Sequence, residues 1–250
     1  MKKFTLPVLF ITVGLLLAGC AGEDAVTSFE PAAQSFAKVN GGTPHPAVIP
    51  PQARPHGQSY GEWSVAYWQW LWAIPAASSP VLDETGEFVA ARQSGSVWFL
   101  ARTFGGTAVR TAWIPSGKML FIDVAGWFFA PALGDPEDEN ELRAAAAAAV
   151  EATQNIMFEI DGAAVGNIDA FRVQSPGLFD YTLPDGNVLE LFGFNAPAGN
   201  YYPAVSDGHF IMLAPLSAGE HTLHIYAEFP EPFGVSDVTY YLTIGPGQHQ

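Results

Sequence analysis

Four patterns follow one another along the chain. An apolar run covers residues 4–17, and a proline-punctuated polar stretch follows to about 58. Residues 59–75 carry aromatic side chains at helical spacing, and from 97 short apolar runs alternate with turn residues. In 59–75, at 100° per residue, Trp63, Ala66, Tyr67, Trp70 and Ile74 share one face, opposite Val65, Trp68 and Trp72. Ser59 and Glu62 have capping-box spacing and Pro75 supplies the stop, which predicts a helix apolar on both faces. A strand is the alternative: period two puts Trp68, Trp70 and Trp72 on one face, as a platform for stacking sugar rings.

A second helix is expected through the alanine run to about 155, with Asp135 as cap and Pro136 in the first helical position. Its acidic first turn matches the positive end of the helix dipole. The runs 97–103, 108–114 and 118–129 read as an antiparallel meander. Further strands are predicted at 157–161, 169–174, 187–194, 208–214, 221–229 and 237–244. The clearest unit is 209–226, read as a hairpin turning through 215–219, with His209 opposite Ile225 and Leu213 opposite His221. Regular βα alternation is missing, so the class is mainly β: an antiparallel β-sandwich or jelly-roll-like domain with two added α-helices, spanning 59–250.

With 250 residues and 49% hydrophobic content, the chain can bury a sizeable core. Its 25 acids and 10 scattered bases, net −15, exclude nucleic acid as a partner but not a cation or a neutral polymer.

The apolar run is shorter than the ~20 residues of a spanning helix and follows Lys2 and Lys3, as in a signal peptide. It ends in Leu17-Ala18-Gly19-Cys20, which resembles the lipobox of bacterial lipoproteins. The resemblance implies a signal peptide at 1–19, cleavage before Cys20 and a membrane partner through lipid on that thiol. Residues 20–58 then become the acylated cysteine and a proline-rich tether. Because Ala21 is not Asp, the resemblance implies the outer membrane of a Gram-negative cell; in a Gram-positive one it implies the outer face of the plasma membrane. Cys20 is the sole cysteine, so disulfides and thiolate catalysis are excluded.

Residues 93–106 and 114–121, with Tyr67-Trp68 through Ile74-Pro75, are similar to an uncharacterised family of exported bacterial proteins. Its members often carry cysteines near the positions of Val89 and Ala112, so packing must replace any cross-link here. The resemblance supplies no catalytic residues.

Several groups are candidates for chemistry. Gly57-Gln-Ser59-Tyr-Gly61 has the spacing of a nucleophile elbow, but the prolines before it rule out the central strand that motif needs, which leaves Ser59 as a cap. Asp83, Glu84 and Glu87 lack calcium-loop spacing and read as a turn; His45 and His56 have no second ligand nearby in sequence. Asp123 interrupts the most apolar strand, so it is either paired with an arginine such as Arg102 or Arg110 or serves as a binding-site acid. Asp123, His221 and His224 are the catalytic candidates; Trp68, Trp72 and Asp123 are the ligand-binding ones. No metal site and no cofactor are expected. The leading functional expectation is a lipid-anchored, non-catalytic envelope lipoprotein that binds carbohydrate or another neutral polymer. The alternative is an extracellular hydrolase or lyase using Asp/His chemistry.

Overall fold

A computed structural model describes residues 45–246. Cys20, the leader and the first part of the tether lie outside the described residues.

The helix predicted over the aromatic stretch forms as α1, Tyr60–Trp72. The Ser59 hydroxyl accepts from the Glu62 amide at 3.2 Å, and the Glu62 carboxylate accepts from the Ser59 amide at 2.6 Å. Two sheets follow. The first contains β1 (Val97–Leu100), β3 (Met119–Phe129), β8 (Gly199–Leu213) and β6 (Arg172–Gln174) in that order, with β7 (Phe179–Leu183) also paired to β8. The second runs β2 (Gly106–Pro115), β10 (Gly234–Gly245), β9 (Gly219–Phe229), β4 (Gln154–Ile160), β5 (Ala163–Ala164). Alternate residues of the second sheet are buried, Ala108, Arg110, Ala112 and Ile114 of β2 being one such row, whereas β3 and β8 of the first sheet are buried continuously over 120–126 and 204–213. The mainly β sandwich with added helices is therefore the observed architecture.

The connections differ from the expected ones. The runs read as a meander split between the sheets: β1 pairs in parallel with β3, while β2 pairs in parallel with β10. Residues 209–226 form no hairpin, since β8 pairs with β3, β6 and β7 and β9 pairs with β10 and β4. Residues 214–218 cross from one sheet to the other, with Leu216 buried on the way, so the register of His209 against Ile225 does not occur. Period-two alternation is the same for a hairpin and for a crossing between sheets, which is why the pattern could not separate them.

The second helix, α2, covers Glu139–Ala152 and is capped by Asp138, whose carboxylate accepts from the Asn140 and Glu141 amides. Asp135 instead accepts from the Ala130 amide at 2.8 Å. The expected strand at 187–194 is replaced by a short helix, α3 (Val188–Leu191), because the Asn187 side chain caps the Leu189 and Glu190 amides. Part of the expected tether is also incorporated: Val48 bridges to Leu213, Ile49 donates to the Met212 carbonyl and Ala214 donates to that of Ala47.

α1 lies on the first sheet, covered on both of its faces. Tyr67, Trp68 and Leu71 are buried, and Phe121, Phe210 and Phe128 meet the aromatic rings of this helix. Gly61 is the point of closest approach, since a Cβ there would collide with the Gln174 carbonyl of β6.

Candidate functional site

The tryptophans proposed as a sugar platform are interior. Trp68 is 1% and Trp72 4% exposed; their rings stack at 5.6 Å, and Trp68 Nε1 donates to Ser206 Oγ at 2.9 Å. No face of either ring is offered to a ligand, because two-sided cover is what a doubly apolar helix requires.

Asp123 is fully buried and paired with Arg102, its Oδ2 lying 3.5 Å from Arg102 Nε. The Tyr67 hydroxyl donates to the same oxygen at 3.2 Å, and the Gly126 amide donates to Oδ1 at 2.6 Å. Burial pushes its carboxyl above the ordinary range, against the lowering pull of Arg102, Gly126 and Tyr67. Arg102 is further held by the Thr103 and Gly126 carbonyls and rests 4.0 Å above the Phe229 ring. Asp123 thus anchors the core, and its hydrogen bonds reach neither His221 nor His224.

Those two histidines sit on β9 in the other sheet. His221 Nδ1 is 2.8 Å from Asp161 Oδ2, and its Nε2 is 3.1 Å from both the Ser217 hydroxyl and the Ser217 carbonyl. His224 Nε2 is 2.8 Å from Asp237 Oδ1, with Glu159 Oε2 at 3.6 Å from Nδ1. The Asp83 turn is built around its own carboxylate, which accepts from the amides of Thr85, Gly86 and Phe88. Among the described residues no group of three metal-ligating side chains occurs.

The concave site with open chemistry lies elsewhere. A cavity of about 400 Å³ is lined by Val150 and Glu151 of α2, Thr153, Ile156 of β4, Asp169, Arg172 of β6 and His209 of β8. That volume lies within the range of small-molecule sites. β6 pairs with β8 so that Arg172 stands directly opposite His209. Buried Asp207 grips the guanidinium twice, accepting from Nε at 3.0 Å and Nη2 at 2.9 Å, and it accepts from Gln174 as well. This leaves Nη1, which lies 4.0 Å from Glu151 Oε1.

His209 is almost wholly buried, and burial is the first cause that lowers its basicity, so the ring is neutral near pH 7. Its Nδ1 is buried without a partner, while Nε2 lies 3.9 Å from Asp169 Oδ1. An orphaned buried N–H is costlier than an orphaned lone pair, so we assign the proton to Nε2. The wall therefore holds two N–H donors, each facing a carboxylate across a gap of 3.9 or 4.0 Å. Both gaps are too wide for a direct hydrogen bond, and an oxygen about 2.8 Å from both atoms, ~2 Å to one side of the line joining them, could accept from the nitrogen and donate to the carboxylate. No local pattern in the sequence marks this site, because its residues come from three separate stretches, 150–156, 169–172 and 209.

No family model and no curated protein matches the chain. Among solved structures, a cysteine protease inhibitor from Entamoeba histolytica is similar at 14% identity, over 60% of this chain and 96% of that one, with a TM-score of 0.22. A likeness at that level carries no argument about fold or function.

Proposed function

We propose that the protein is a non-catalytic lipoprotein of the bacterial envelope, anchored through Cys20, that binds a carbohydrate residue in the His209 cavity. The observation that carries the binding reading is the pair of donor–carboxylate gaps, His209 to Asp169 and Arg172 to Glu151. A sugar hydroxyl accepts and donates at once, and so fits each gap; Val150 and Ile156 supply an apolar wall for its C–H face. A neutral ligand also escapes repulsion by a chain of net charge −15.

Calorimetry against a panel of neutral sugars tests the cavity. Asp169→Ala and Glu151→Ala, at solvent-exposed positions, should each weaken binding about tenfold or more with unchanged melting, since a hydrogen bond to a charged group contributes about 1.5–3 kcal/mol. Silence across the panel, or binding indifferent to both substitutions, refutes it. The anchor is tested separately: a clickable palmitate analogue should label the chain in cells and fail to label Cys20→Ser.

The hydrolase reading has one observation in its favour, the chain of contacts from Asp161 through His221 to the Ser217 hydroxyl. Against it, the Nε2 that would take the Ser217 proton lies equally close, at 3.1 Å, to the Ser217 carbonyl, which gives it a backbone partner in place of the hydroxyl. Turnover of activated esters that disappears with both Ser217→Ala and His221→Gln would restore that reading.

A further inference from the structure

β2 and β10 begin at the same end of the second sheet, where Ser236 stands opposite Gly106. The turn before β2, residues 103–106, touches the turn before β10: a Cβ on Gly105 would strike the Phe233 carbonyl. On the same 103–106 turn, Phe104 meets Phe192 with ring centroids 5.8 Å apart, which brings in the segment after α3. Three separate segments thus meet at one end of the sandwich.

Their outward residues are apolar. Leu191 is 67% exposed, Phe192 49%, Phe194 39% and Phe233 41%. They rest on an ordered aromatic base: Phe104 meets Trp72 at 5.8 Å, Trp127 meets Phe233 at 5.3 Å, and Arg102 lies between the rings of Phe104 and Phe229. Residues 103–106 and 191–206 contain no charged side chain, and Glu231 is the only one in 230–234. Clustered exposed phenyl and leucyl groups on a braced base mark an interaction surface rather than scattered surface apolarity.

We propose that this end of the sandwich is a lipid-contacting tip that seats its phenylalanines in a zwitterionic membrane surface. The proposal rests on the Cys20-anchored reading, since 24 residues lie between Cys20 and His45, a reach of at most ~85 Å, which keeps the body close to the bilayer. Aromatic and leucyl side chains partition into the boundary between headgroups and acyl chains. The three segments carry no lysine or arginine, so anionic headgroups have nothing to attract, and with the acidic surface this selects zwitterionic lipid.

The test uses the full lipidated chain in phosphatidylcholine vesicles. Acylation occupies Cys20, so a thiol introduced by Phe192→Cys, or separately by Leu191→Cys, is the sole site for a solvent-sensitive dye. Ala218→Cys, exposed at the far end of β9, is the reference. Dyes at 191 and 192 should shift to the blue and be quenched at least threefold more than the dye at 218 by spin labels on the acyl chains. A chain that floats with the vesicles while 191 and 192 read like 218 refutes the tip alone. A chain that stays off the vesicles refutes the anchor and the tip together. A shift that appears without lipid and grows with protein concentration assigns the surface to a second copy and overturns the proposal.

Discussion

Asp123→Ala removes the carboxylate on which three buried groups converge. Arg102, only 4% exposed, loses its ion-pair partner, and the Tyr67 hydroxyl and Gly126 amide lose their acceptors. Breaking a buried pair from one side costs about 3–5 kcal/mol, a fifth or more of the ~5–15 kcal/mol that holds a typical domain together. The Thr103 and Gly126 carbonyls and the Phe229 ring keep part of the guanidinium satisfied, which argues for the lower part of that range. Asp123→Asn keeps an oxygen acceptor and should cost less, about 1–3 kcal/mol. Replacing both partners, Arg102→Met with Asp123→Leu, should be closer to wild type than Asp123→Ala, since no charge is stranded. Urea unfolding followed by tryptophan fluorescence gives all three values. A loss below about 1 kcal/mol for Asp123→Ala would refute the anchoring account; so would Asp123→Asn that melts normally yet abolishes ligand binding.

Three further outcomes are expected. Ser59→Ala should lower stability by about 1 kcal/mol through loss of the α1 cap, with sugar binding unchanged in calorimetry. Gly61→Ala should lower the melting temperature although alanine is the better helix former by about 1 kcal/mol, because its methyl would meet the Gln174 carbonyl; a raised melting temperature would show that α1 can move off β6. Burial alone would lift the Asp83 carboxyl, but the Phe88, Thr85 and Gly86 amides outweigh it and hold it below the ordinary carboxylate value of about 4. Its folded value is thus the lower one, and its contribution is present above about pH 4 and fades as pH falls through the folded value. The stability gap between wild type and Asp83→Asn, measured by urea titration at pH 6 and pH 3, should therefore narrow in acid, and a constant gap would refute the assignment.

What the sequence disclosed was local. The α1 cap and the two-faced burial of its tryptophans follow from spacing and capping chemistry within a few residues, while the cost of burying an unpaired carboxylate pointed Asp123 to an arginine without choosing between Arg102 and Arg110. Strand pairing across the sandwich was hidden, since alternation places a side chain on a face without saying which strand lies beside it. β7 was missed although Phe179, Tyr181 and Leu183 alternate cleanly, while Asn187, whose side-chain cap starts α3, was absorbed into a strand. At α2, two aspartates competed for the cap, and a distant amide, that of Ala130, took the first of them. The His209 cavity depends on a partner 37 positions away, Arg172, and on helix residues still farther off, so no periodicity could reveal it.

The placement of β10 bears on how the chain is completed. This strand is the last among the described residues, yet it sits inside its sheet, joined to β9 on one side and to β2, some 130 residues earlier, on the other. A chain cut before Gly234 would therefore expose the borders of β2 and β9 that β10 covers, and such borders recruit other chains. The strand β10 is thereby a condition for a continuous second sheet, and copies cut before it should aggregate or be proteolysed rather than persist as near-native imitations.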